Sequence, residues 1–251
     1  MFIATLKNPA EIQSLNIKWI PENPNWEHFI EAWNYVDTPP LWRALLNSTI
    51  VTVSSVALQL LGSSLVGYVL AKHKFRGNNM IFMWILAQLM IPGATSLVPM
   101  YVLMNWLKWY NTYWSLIIPG VFSAYTIFLM RQYIITIPND ILDAARLSGC
   151  SEFGLFWRMI LPLSKPALVA LGLINFVGSW NDLLWPMLMI KNSDWFTVQM
   201  ALSGLWSRTQ YPYLHLAAGA ITFAAMPVII LTIIFQKYLI KGWTGLSYAK
   251  R

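Results

Sequence analysis

Apolar residues in this chain do not alternate with polar ones at a helical or a strand period; they run on in long blocks parted by short polar stretches. The blocks cover residues 41–70, 80–104, 113–135, 166–190 and 214–240. Each is long enough, or nearly so, for the roughly 20 apolar residues that cross a hydrocarbon core. Inside lipid every backbone N–H and C=O needs a partner within the protein, so such blocks are expected to be helices. The two-residue alternation of a lipid-facing barrel is absent. The pattern predicts an all-α membrane protein with five transmembrane helices, the second bent where Pro92-Gly93 and Pro99 interrupt it.

The polar stretches divide the rest. Residues 1–40 are proline-rich, with Trp19, Trp26 and Trp33 among acidic residues such as Glu22 and Asp37, and read as an interfacial segment outside the membrane. Residues 41–240 form the membrane-spanning body, and 241–251 a basic tail ending in Lys250 and Arg251. Residues 138–165 are a charged island between two apolar blocks. Pro138 and Asn139-Asp140 read as a helix start, 143–147 as a short helix and Gly149 as a turn needing positive φ. A second helix over 152–159 is expected to end at Pro162.

Composition agrees with the pattern. The chain is 57% hydrophobic and 11% charged, with a mean hydropathy of +0.51, whereas soluble domains carry about a quarter charged residues. A net charge of +7 does not point to nucleic acid, because the excess follows the sides of the membrane. Lys72, Lys74, Arg76, Arg131, Arg146, Arg158, Lys165, Lys250 and Arg251 all fall on the side of the island and tail. By the positive-inside bias that side is cytoplasmic, and Lys191, Asp194 and Arg208 are outside. The single cysteine, Cys150, suits a reducing compartment and reads as a small packing residue.

The island carries a resemblance. Asp143-Ala144-Ala145, Gly149 four residues on, and Met159, Leu161 and Pro162 after an apolar run resemble the EAA loop of permease subunits of ABC importers. WRMILPLSKPAL (157–168) and GSWNDLLWPM (178–187) are similar to maltose-type permeases for sugars and related solutes. Two positions depart from the pattern: Asp143 replaces the usual glutamate, and Met159 the usual branched aliphatic. The resemblance implies a cytoplasmic helix-turn-helix coupling loop in which Asp143, Ala144, Ala145, Gly149, Met159, Leu161 and Pro162 dock an ATPase. It further implies a second permease completing the pore, two ATPase subunits binding ATP and Mg, and an extracytoplasmic solute-binding protein. Relatives of this type have six spans, so Met1 to Leu6 is read as the end of a first helix in a chain that starts late.

Candidate chemistry is sparse. His28, His73 and His215 are scattered, with no catalytic triad, zinc-ligand spacing or nucleotide-binding loop, so no enzyme activity, cofactor or metal is expected of this chain. Asp182 is the one carboxylate in a predicted span and needs a partner or a watery cavity. Trp180 and Trp185 are candidates to stack on a sugar, with Asn181 and Asp182 binding hydroxyls and Asn175 a further solute-pathway candidate. The plainer alternative makes Asp182 an interhelical partner and Asn175 glue between helices. Gly62, Ser63, Ser64 and Gly67 predict a close-packing face. Two rival functions use the same features: a membrane scaffold holding a cytoplasmic partner, and a secondary transporter, which would need repeated halves. The solute stays open among oligosaccharides, polyols and glycerol phosphates.

Overall fold

The computed structural model describes residues 1–8, 11–12, 19–21, 23–35, 39–208 and 214–248, and of 35, 205–208 and 237–248 the backbone alone. Glu22, Asp37, Lys250 and Arg251 from the predicted charge asymmetry lie outside the described residues. Regular structure among the described residues is helical throughout. Among the described elements, α1 (Phe2–Thr5) and α2 (Glu27–Tyr35) come before the 32-residue α3 (Leu41–Lys72). Next come α4 (Asn78–Gln88), α5 (Gly93–Trp106), α6 (Trp114–Ile117) and α7 (Ala124–Ile135). The island forms α8 (Asn139–Leu147) and α9 (Glu152–Leu163). The chain ends through α10 (Lys165–Trp180), α11 (Leu184–Met189), α12 (Val198–Arg208) and α13 (Leu214–Tyr248).

Among the described residues, two helices are, by length and composition, able to cross a membrane unbroken: α3 and the Leu214–Gln236 part of α13. The second predicted span is α4 and α5, bent by 101° where Pro92 caps α5. Pro92 has no N–H to give and pushes Ile91 away from helical ψ, so the break falls just ahead of it. The third predicted span, 113–135, is not one helix. Pro119-Gly120 separates α6 from α7, and Ser123 restarts the helix by accepting the Thr126 N–H at 3.4 Å. The fourth is also divided: α10 ends at Trp180, α11 is a separate short turn, and α9 meets α10 at a 76° bend. Backbone of α13 runs through residue 240 to Tyr248, so the predicted tail begins as a continuation of that helix.

The predicted small-residue face of α3 is where the helices come closest. A Cβ on Gly62 would stand 3.0 Å from Val121 Cγ1, and one on Gly67 3.1 Å from the backbone of Arg131. Ser63 and Ser64 are fully buried beside them. Contact this close lets α7 lie along α3, and it is the small-residue packing that membrane helices rely on where lipid gives them no hydrophobic drive. Halfway along, Thr126 on α7 accepts from Gln59 Nε2 of α3 at 3.4 Å and from Asn175 Nδ2 of α10 at 3.2 Å, joining three helices at one hydroxyl.

Three apolar clusters stack along α3. Leu41 and Ala44 pack with Trp180, Val198, Ala220 and Ala224; Val51 with Met104, Leu116, Ile117 and Met189; Tyr68 with Met130, Ile134, Leu142, Leu155, Phe156 and Ile160. Large apolar side chains such as Met83, Trp84, Met90, Val98, Ile229 and Ile233 remain outside these clusters. Exposure on this scale is stable against lipid or a partner helix, not against water. At the Leu41 end, Asn47 Nδ2 donates to the carbonyls of Asp194 (2.8 Å) and Phe196 (3.0 Å), while Tyr113 Oη donates to Asn47 Oδ1 at 2.7 Å. Arg43 pairs with Asp194 at 3.1 Å. Asp194 and Lys72 therefore lie at opposite ends of one helix.

Candidate functional site

The hairpin of α8 and α9 is shaped by its turn. Gly149 has φ +84, and its N–H reaches the Arg146 carbonyl at 2.9 Å while the Cys150 N–H reaches the Ala145 carbonyl at 3.0 Å. These two bonds make a Schellman C-cap, which needs a left-handed residue at that position. A Cβ there would touch nothing within 4 Å, so the demand for glycine is conformational. Ser151 then starts α9 by accepting the Gly154 N–H at 3.2 Å. Pro162 does not end this helix as expected. It has no N–H for the Arg158 carbonyl, the helix widens into a π turn over Phe156–Ile160, and helix continues to Leu163.

A polar knot fastens the hairpin to α3. Glu152 accepts from Arg146 Nε at 2.8 Å (Oε1) and from Tyr68 Oη at 2.7 Å (Oε2), with His73 Nε2 at 3.3 Å. Arg146 also donates to Asp143 at 2.7 Å. Lys72 Nζ donates to the Ile137 carbonyl and to Asn139 Oδ1. The guanidinium of Arg146, then the Tyr68 hydroxyl, hold the Glu152 carboxyl below the usual carboxylate range, and hydrogen bonds to Glu152 and Asp143 raise Arg146 further. Glu152 stays charged across neutral pH.

The predicted docking residues divide by face. Asp143, Ala144, Gly149 and Pro162 are exposed, whereas Ala145, Met159 and Leu161 lie against the Tyr68 cluster and anchor the hairpin from within. Only Ala144 of the alanine pair is on the open side. That side also carries Leu147, 91% exposed, and Phe153, 69% exposed, beyond what the sequence singled out. Tyr68, His73 and Glu152 were likewise missed. No spacing in the sequence brings the end of one apolar block to a carboxylate in the island.

The stretch from Trp180 to Trp185 is built differently. Trp180 is 2% exposed, donates Nε1–H to the Ala224 carbonyl at 3.0 Å and stacks on Phe176 at 5.6 Å. It presents no face to a solute, which corrects its expected role. Trp185 is half-buried and its Nε1–H is taken by the Ser115 carbonyl at 2.8 Å, tying α11 to α6. Asp182, also half-buried, accepts the Trp185 N–H at 3.4 Å and so acts as a local cap in the break between α10 and α11. Asn175 is engaged by Thr126 as described. Asn181 alone of the set is exposed, and it borders a cleft of about 490 Å³ with Gln199, Ser203, Ala224 and Ile229. Gln199 Nε2 donates to Asn181 Oδ1 at 3.2 Å. The cleft is an apolar wall with a few amide and hydroxyl groups, which suits a neutral polar solute. The histidines are not scattered in space either: His73 belongs to the knot, and His28 and His215 meet at the far end of the molecule.

Residues 63–245 match the family described as binding-protein-dependent transport system inner membrane component. The arabinooligosaccharides transport system permease protein AraQ of Bacillus subtilis is 34% identical over 246 residues, which is 97% of this chain and 86% of the relative. The sn-glycerol-3-phosphate transport system permease protein UgpE of Escherichia coli is 29% identical over 248 residues, 96% of this chain and 87% of the relative. A crystal structure of a bacterial ABC transporter importing the acidic polysaccharide alginate contains a chain of the same fold, with a TM-score of 0.82. Identity there is 23%, over 94% of this chain and 88% of that one.

Proposed function

This chain belongs to the family of binding-protein-dependent transport system inner membrane components, and on that premise we propose that it is the permease subunit of an ATP-driven importer for a sugar or related neutral solute. The observation that carries this reading is the hairpin: fastened to α3 through Glu152, yet leaving Leu147 and Phe153 bare. Apolar side chains on a polar turn outside the spans call for a partner protein. The reading makes that partner an ATPase subunit, with ATP and Mg held there, the hairpin facing the cytoplasm and a second permease lining the other half of the path. The relatives named for arabinooligosaccharides support the sugar class, and the uncharged cleft at Asn181 agrees with it.

In this mechanism the chain itself does no chemistry on ATP. Closure of the ATPase pair displaces α8 and α9; because Arg146, Tyr68 and Glu152 join the hairpin to α3, the displacement passes to that helix as a rigid-body movement. Helix α3 is clamped through Asn47 to the segment around Asp194, so its rotation re-aims the opposite end, where α12 and the cleft lie. A solute-binding protein would deliver its cargo there.

The test is co-purification of the ATPase subunit with Leu147→Asp and with Gly149→Val. Leu147 is exposed and its loss should spare the fold while removing about 1.5–3 kcal/mol of apolar burial at the joint, so retained ATPase should fall at least about ten-fold. Gly149→Val forces a branched residue to positive φ at about 1–3 kcal/mol. Wild-type retention by both variants would remove the hairpin as the docking element.

A further inference from the structure

At the end of the molecule opposite the hairpin, α2 crosses α13 in close register. A Cβ on Gly219 would stand 2.5 Å from Ala32 Cβ and 3.0 Å from Thr5 Cγ2, so α1, α2 and α13 meet there with no room to spare. One turn before Gly219 on α13 is His215, and one turn before Ala32 on α2 is His28. The close crossing therefore sets the two imidazoles beside each other, with ring centroids 4.4 Å apart at 55°. One turn beyond, Phe223 continues the seam against Phe29 and Trp33. Glu31, three residues after His28, lies on the same helix face.

We propose that His28, Glu31 and His215 bind a divalent transition-metal ion, with Zn2+ the best fit. One donor atom from each of the three lies within 4.8 Å of the other two. Bonds of about 2.0–2.1 Å at tetrahedral angles put donors roughly 3.4 Å apart, a closure within reach of Glu31, whose side chain is exposed while both histidines are buried. His28 is already oriented for the task. Its Nδ1 sits 2.9 Å from the Thr5 carbonyl; a carbonyl can only accept, so Nδ1 carries the hydrogen and Nε2 presents its lone pair. A backbone carbonyl on the far ring nitrogen is the usual partner that fixes a metal-ligating imidazole. Two nitrogens and one carboxylate oxygen are the donor set of open zinc sites with a fourth position for water. The imidazoles disfavour Mg2+ and Ca2+, which prefer oxygen throughout.

A bound ion would staple α2, which lies outside the long apolar helices, to the first turn of α13. The proposal is independent of the transport reading. The rival arrangement of the same trio is a protonated histidine held by Glu31 with no ion at all.

Both are decided on the assembled complex, purified from membranes washed with chelator and dialysed against micromolar free Zn2+, with metal content measured by mass spectrometry. The wild type should retain one ion per permease chain. Glu31→Gln, an exposed isostere that leaves the fold alone, should weaken binding at least about ten-fold, the loss found even for outer partners of metal ligands. His215→Asn should abolish it; if that variant does not assemble, Glu31→Gln decides alone. No retained ion in the wild type, or unchanged affinity in Glu31→Gln, overturns the proposal.

Discussion

The hairpin and the break between α10 and α11 are both polar islands in an apolar sequence, yet they spend their side chains in opposite ways. In the hairpin the charged groups satisfy one another, Arg146 with Asp143 and Glu152, and the apolar Leu147 and Phe153 are left outside. In the break the large aromatic groups are used up by the fold: the Trp180 and Trp185 indoles each donate to a backbone carbonyl on another helix, and the amide of Asn181 is left at a cleft. The hairpin thus presents surplus apolar surface on a rigid support, and the break presents a few polar groups on a wall that is otherwise apolar.

Trp180→Ala strikes this contrast hardest. A fully buried indole with a hydrogen bond to Ala224 leaves a cavity worth about 3–5 kcal/mol, and the assembled complex should be lost or melt far below the wild type. Normal assembly with impaired transport would instead return Trp180 to the solute path. A smaller change follows from Glu152→Gln. Its carboxylate is half-exposed, so stability should fall by no more than about 1 kcal/mol, while solute moved per ATP hydrolysed drops because the hairpin shifts without carrying α3. The charge that does this is robust to pH. A carboxyl whose pKa is lowered on folding stabilises the structure at all pH above its unfolded value of about 4.3 and loses that contribution only as pH falls below it. Coupling in reconstituted vesicles should therefore be flat from neutral to mildly acidic pH, and a loss within that range would take the role away from Glu152. Smallest of all is Asn181→Ala, which should change stability by no more than about 0.5 kcal/mol and raise the KM for transport a few-fold with kcat retained. An unchanged KM would take the cleft out of the solute path.

Much of the hairpin could be read from sequence because its determinants are local. Gly149 announces positive φ, and Pro138 and Asn139-Asp140 announce a helix start without reference to anything else. The small residues of α3 were equally legible, since Gly62, Ser63, Ser64 and Gly67 have no other use in a span. What failed was of another kind. Trp180 looks like a sugar-stacking group until its burial against Phe176 and Ala224 is seen, whereas Trp185 is half-buried with its N–H taken by Ser115. Tyr68 and Glu152, or His28 and His215, meet only once helices far apart in the chain have crossed. The third predicted span is broken for a physical reason visible in the sequence, since Pro119-Gly120 interrupts an apolar block as surely as Pro92-Gly93 does.

Two of the polar fastenings of helix α3, at Asn47 and Tyr68, stand roughly 31 Å apart by the α-helical rise. That is close to the thickness of the hydrocarbon core of a bilayer, about 30 Å. Between them the helix turns Ile50, Val53, Leu58, Leu61 and Leu65 outward. The protein thus has a preferred membrane thickness written into a single helix. In a thicker bilayer, lipid chains would reach the half-exposed Arg43–Asp194 pair beside Asn47 at one end or Glu152 beside Tyr68 at the other, at a fraction of a kcal/mol for each ångström of mismatch. Tilting relieves the opposite case, a thinner bilayer, but tilting also moves the hairpin. Acyl-chain length therefore bears on the angle at which the hairpin stands to the membrane.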